Sequence, residues 1–140
     1  MIGTLEDATL ATTLGYGDPE FLADGSTRAA FLINGVVYKV DMCGDMAPTN
    51  EYEYSRIRRT ALPDGVFFPK TELYDVDGTF VIAMEYIEGQ IMHECWGECT
   101  PHYPECMTTE VLDKVGPVLD DTGGDNVIVN DEGIWIIDMG

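Results

Sequence analysis

The sequence predicts an α+β domain in which antiparallel hairpins alternate with helices. Three observations lead there. Asn34-Gly35 stands between two β-rich apolar runs, and Asn-Gly supplies the positive φ angles of a tight hairpin turn. Further hairpin patterns recur near residues 70–86 and 126–138. Helical patterns with capping residues fall between them, giving the order strands, helix, strands, helix, strands. A length of 140 residues suits one domain with a real core.

Residues 1–21 are of mixed character and predict no element, and Gly15-Tyr-Gly-Asp-Pro19 reads as a turn. Arg28–Ile33 and Val36–Asp41 are the strands of the first hairpin. Residues 42–49 read as a loop with Gly44 and Pro48. Thr49 or Asn50 caps a helix from about Glu51 to Ala61, ended by Pro63 and Asp64-Gly65. Its acids come first and its arginines last, which suits the helix dipole. Lys70–Tyr74, a turn at 75–78 and Thr79–Tyr86 form the second hairpin. Residues 88–107 are rich in Cys, His, Pro and Gly and predict irregular or only briefly helical chain. Thr108 or Thr109 caps a helix to about Leu119, with Val111, Val115 and Leu119 on one face. Asn126–Asn130, a turn at Asp131-Glu-Gly133 and Ile134–Asp138 form the last hairpin.

Charge narrows the function. Hydrophobic residues make up 45% and charged residues 24%, which fits a folded protein. Asp and Glu number 26 against 7 Lys and Arg, for a net charge of −19. Residues 1–70 carry −4 and residues 71–140 carry −15, with Lys114 the sole base of the second half. Such a surface is repelled by nucleic-acid phosphates and anionic lipid, so neither is an expected partner. A protein with a basic surface, or a divalent metal, is. An anionic ligand near the second half needs positive charge from metal or from the first half. No apolar run is long enough to span a bilayer, and the first residues lack a signal-peptide pattern, which predicts a cytoplasmic protein. The 4 cysteines are then expected as thiols or metal ligands rather than disulfides. Cys95, Cys99, His102 and Cys106 form a candidate zinc set, with His93 in reserve. One disulfide in this segment, or free thiols, are the alternatives. Cys43 reads as a packed thiol.

Further motifs line up in order. Leu22-Ala-Asp-Gly25-Ser26 precedes the first hairpin, Val36-Val-Tyr-Lys39-Val is its second strand, and Asn50-Glu-Tyr-Glu53 opens the helix. Val81-Ile-Ala-Met-Glu85-Tyr-Ile-Glu-Gly89 closes the second hairpin. Asp121-Thr-Gly-Gly-Asp-Asn126 puts an Asp five residues before an Asn, and Asp138-Met-Gly140 follows twelve residues after that Asn. In this order the chain resembles the protein-kinase-like fold, especially small kinase-like proteins of bacteria and phages. The resemblance implies an antiparallel sheet with one or two helices like a kinase N-lobe over residues 22–87. It implies a Cys/His-rich insert over 88–107 and a minimal C-lobe remnant over 108–140. By resemblance, Gly25 and Ser26 lie in a reduced nucleotide loop, Lys39 holds the phosphates of ATP and Glu53 holds Lys39. Glu85 lies at the adenine hinge, Asn126 and Asp138 ligate Mg²⁺, and Asp121 is the catalytic acid–base group. Each also has an ordinary structural use. Lys39 suits a solvated edge strand, Glu53 an exposed helix face, Asp121 and Asn126 a Gly-rich turn, and Asp138 an exposed chain end.

Three departures bear on activity. Leu119 stands where the family places a His two residues before the catalytic Asp, the glycine loop keeps only Gly25, and the chain stops after Asp-Met-Gly. The reading that follows is a truncated, catalytically impaired kinase-like protein. It would act as an acidic binding or inhibitor protein, such as a phage-encoded decoy against a host factor. The alternative is a minimal ATP- and Mg²⁺-dependent phosphotransferase.

Overall fold

Two-residue turns build the first sheet. In the computed structural model, which describes residues 2–14, 21–24, 28–41, 49–92, 109–119 and 127–137, Asn34 and Gly35 have φ of 51° and 78°. They join β2 (Arg28–Ile33) to β3 (Val36–Asp41) in unbroken antiparallel register. Asp77 and Gly78, at 52° and 87°, do the same for β5 (Thr71–Val76) and β6 (Thr79–Glu85). The second turn is therefore tighter than the four residues expected, because Asp77 tolerates the left-handed region. With β1 (Phe21–Asp24), these strands form an antiparallel sheet of order β1-β2-β3-β6-β5. The chain is α+β, as its sequence predicts.

Alternation along the strands divides this sheet into two faces. Phe31, Tyr38, Val40, Val81 and Ala83 form a buried cluster with Ala8 and Ala11 of α1 (Leu5–Leu14). The helix was not expected, yet its start is written in Thr4-Leu-Glu-Asp7. Thr4 Oγ1 accepts the Asp7 N–H at 3.1 Å, an N-cap bond. The helix presents alanines to the sheet, so it sits close. Gly3 shares that closeness, since a Cβ there would lie 2.8 Å from Tyr38 Oη. Tyr38 and Tyr74 fasten the segment. Tyr38 donates to Asp7 Oδ2 at 3.3 Å, and the Tyr74 hydroxyl lies 2.8 Å from both the Gly3 carbonyl and Glu72 Oε2. Helix α2 (Thr49–Arg59) begins and ends two residues before its expected bounds.

A second sheet has the order β4-β9-β8-β7. It comprises β4 (Val66–Phe67), β7 (Gln90–Met92), β8 (Val127–Asn130) and β9 (Gly133–Ile136). β7 is a correction to the irregular chain expected there, and β4, parallel to β9, was not foreseen. Both are too short to show a period. The β8–β9 turn is Asp131-Glu132, since Gly133 already belongs to β9. Asn130 organises that turn: its Oδ1 accepts the N–H groups of Glu132 and Gly133 and the indole N–H of Trp135. Helix α3 (Thr109–Val115) stops earlier than expected, and a turn continues it as Leu119 N–H bonds to Val115 O at 2.9 Å. Val111, Val115 and Leu119 are nonetheless all buried, as the pattern requires.

The chain divides into two compact units, Met1–Arg58 with Lys70–Tyr86, and Arg59–Pro69 with Ile87–Met139. Among the described residues, no helix is long and apolar enough to cross a membrane.

Candidate functional site

The sheet face opposite α1 carries an unusual charge. Tyr38 and Val40 point into the α1 cluster, so Lys39 between them points the other way. Its cross-strand neighbours are Ala30 on β2 and Ile82 on β6. Leu32, Val37 and Met84 continue the same face by register. Lys39 thus stands at one end of a small apolar platform, with Ile82 and Met84 buried beneath it.

Across from it, α2 supplies the counter-charge. Lys39 Nζ lies 3.1 Å from Glu53 Oε1 and 3.2 Å from Oε2, so the ammonium is centred on the whole carboxylate. The Lys39 side chain is 11% exposed and that of Glu53 is 0% exposed. An ion pair this dry is a weak source of stability, because desolvating both charges offsets most of their attraction. It does fix the ammonium in space.

Two further polar residues hold the helix that bears Glu53. Asp41, at the end of β3, accepts the backbone N–H of Asn50 at 3.2 and 3.3 Å on its two oxygens. That amide is in the first turn of α2, where helical partners are missing and a negative charge suits the dipole. The Asn50 side chain also reaches the sheet. Its Nδ2 donates to Lys39 O at 2.7 Å and to Phe80 O at 2.9 Å, binding the helix to β3 and β6 together. Asp41 is 5% exposed and Asn50 is 0% exposed. Sequence reasoning gave Asn50 a candidate capping role and Asp41 none. The available signal for Asp41 was an acid ending the lysine strand just ahead of the helix.

Of the predicted site residues, the structure brings Lys39 and Glu53 together. Glu85 is the last residue of β6, opposite Val36, and its Oε1 accepts the Lys70 N–H at 3.4 Å. Gly25, Ser26, Asp121, Asn126 and Asp138 lie outside the described residues, as do Cys95, Cys99, His102 and Cys106. Among the described residues, no three metal-ligating side chains gather.

Compared with known proteins, the chain matches no protein-family model and no curated sequence. The site must therefore be read from its own chemistry.

Proposed function

We propose that this chain is a kinase-like protein whose first unit binds a nucleotide, with Lys39 holding its phosphates. The buried Lys39–Glu53 pair carries this reading. A lysine used only for solubility stays in water, and one used only for packing would be better replaced by an apolar residue. A dry ammonium, held by a carboxylate beside an apolar platform, matches a ligand with a flat apolar base and an anionic tail. Charge-assisted contact to phosphate is the strong kind. Mg²⁺ fits the same reading, because it shares oxygen ligands with phosphates and offsets the repulsion from a chain of net charge −19. By resemblance, Asn126 and Asp138 would hold the ion and Asp121 would act on an attacking hydroxyl.

A second reading, compatible with impaired catalysis, is an acidic binding or inhibitor protein in the cytoplasm. The exposed acids Asp75, Asp77, Glu110, Asp113, Asp131 and Glu132 favour it. Its partner would be a protein with a basic surface. Binding that falls as salt rises supports this reading.

Calorimetric titration of ATP, with and without Mg²⁺, tests the first reading on wild type, Lys39→Ala and Lys39→Arg. Mg²⁺-dependent binding that Lys39→Ala loses is the expected outcome. No binding by wild type at millimolar nucleotide defeats it and leaves the acidic binding protein.

A further inference from the structure

The ion pair depends on α2 standing at one height and one rotation over the sheet. Asn50 and Glu53 are three residues apart, so they share a helix face, and both are fully buried. Glu53 reaches a side chain on β3, while Asn50 reaches the backbone of β3 and β6. Asn50 Nδ2 bonds the carbonyl of Lys39 itself, the residue whose ammonium Glu53 holds. One turn of helix therefore grips the same residue at its backbone and at its side chain. Asp41 closes the arrangement by fixing the Asn50 backbone from the strand side.

We infer that Asp41 and Asn50 form a latch that positions the Lys39 ammonium by locking α2 onto β3 and β6. They are positioning residues, acting through Glu53 on Lys39. The inference rests on the nucleotide reading for its purpose, but the latch has a readout of its own. An ordinary cap stabilises its helix and does no more. This latch joins the helix to the lysine strand, so its loss frees Glu53 from Lys39 while the remainder of the sheet stays paired. An amide is required at residue 50 because the groups it meets are both carbonyl oxygens, which only a donor satisfies.

The test uses the full chain and its 3 lysines, Lys39, Lys70 and Lys114. An acetylating reagent is applied well below the melting temperature, and peptide mass spectrometry reads each rate. In wild type, Lys39 should react slowest. Asn50→Ala and Asp41→Ala should raise its rate about ten-fold relative to Lys70, the effect of one lost hydrogen bond. Asp41→Asn keeps an oxygen for the Asn50 N–H and should stay near wild type. A merely structural role would lower the melting temperature and leave the Lys39 rate unmoved. An unchanged rate in folded Asn50→Ala overturns the latch whatever nucleotide does. A raised rate with no nucleotide binding by wild type keeps the latch and removes the nucleotide reading. Amide exchange on wild type needs no variant. The Asn50 N–H should exchange as slowly as the interior of α2, and free exchange there overturns the inference.

Discussion

Replacing Glu53 with Met removes the carboxylate that lies 3.1 Å from the Lys39 ammonium. The Glu53 side chain is 0% exposed and the Lys39 side chain 11%, so water replaces little of the lost partner. Breaking one side of such a pair costs about 3–5 kcal/mol. Lys39 can still bend its flexible stem toward solvent, which puts Glu53→Met near the low end, at about 3 kcal/mol. Lys39→Met takes the ammonium from a fully buried carboxylate and belongs near the high end, at about 5 kcal/mol. The double variant removes both charges of the pair, and its two methionines can fill the space flexibly. It should fall within about 1 kcal/mol of wild type or exceed it. Urea melts followed by far-UV circular dichroism give all of these values. A double variant that loses as much as the two singles together would refute the reasoning, because the charges would then stabilise the fold on their own account.

Other outcomes follow from local geometry. In Gly133→Ala, the new Cβ would lie 2.6 Å from Gly65 O and 2.7 Å from Phe67 Cε2. Overpacking of this kind costs about 1–3 kcal/mol, and thermal melts should show it. Asn130→Ala strips acceptors from two turn amides and the Trp135 indole, so hydrogen exchange should accelerate at Glu132 and Gly133. At high pH the N-terminal clamp should fail. Burial pushes the Tyr74 hydroxyl up from its ordinary 10.0 to about 12, and burial likewise raises Tyr38. A group raised in the folded state contributes stability below its unfolded value and loses it as pH climbs through the folded one. Stability should therefore fall between pH 10 and about 12, and less steeply in Tyr74→Phe.

The hairpins were legible because their turn chemistry is local. Asn34-Gly35 and Asp77-Gly78 dictate positive φ whatever surrounds them, and the strand alternation then follows. Buried faces were legible where the period was long enough, as at Val111, Val115 and Leu119. The short strands β4 and β7 were not, because two or three residues carry no period and take their conformation from β9 and β8. Helix α1 escaped notice since its apolar face is built from Ala8 and Ala11, which give little hydrophobic contrast, although Thr4 and Asp7 marked its start. In the candidate site, Lys39 and Glu53 were found through the order of motifs. The bond between Asp41 and Asn50 was not, because a contact between residues nine apart leaves no pattern in either neighbourhood.

The expected near-neutrality of the Lys39→Met, Glu53→Met double variant bears on function as well as stability. If an apolar pair would hold the helix as well, packing alone does not account for the charges. The chain has only 7 bases to set against 26 acids, and Lys39 is withdrawn almost entirely from water. A lysine so placed does little for solubility. Its ammonium lies on the sheet face opposite α1. A phosphate there would meet a preorganised cation, and its own desolvation would make that contact stronger than the same contact at the surface. The double variant separates the two roles: it should fold as wild type does and yet lose nucleotide affinity. A double variant that folds and binds nucleotide as tightly as wild type would remove the phosphate-holding role from Lys39.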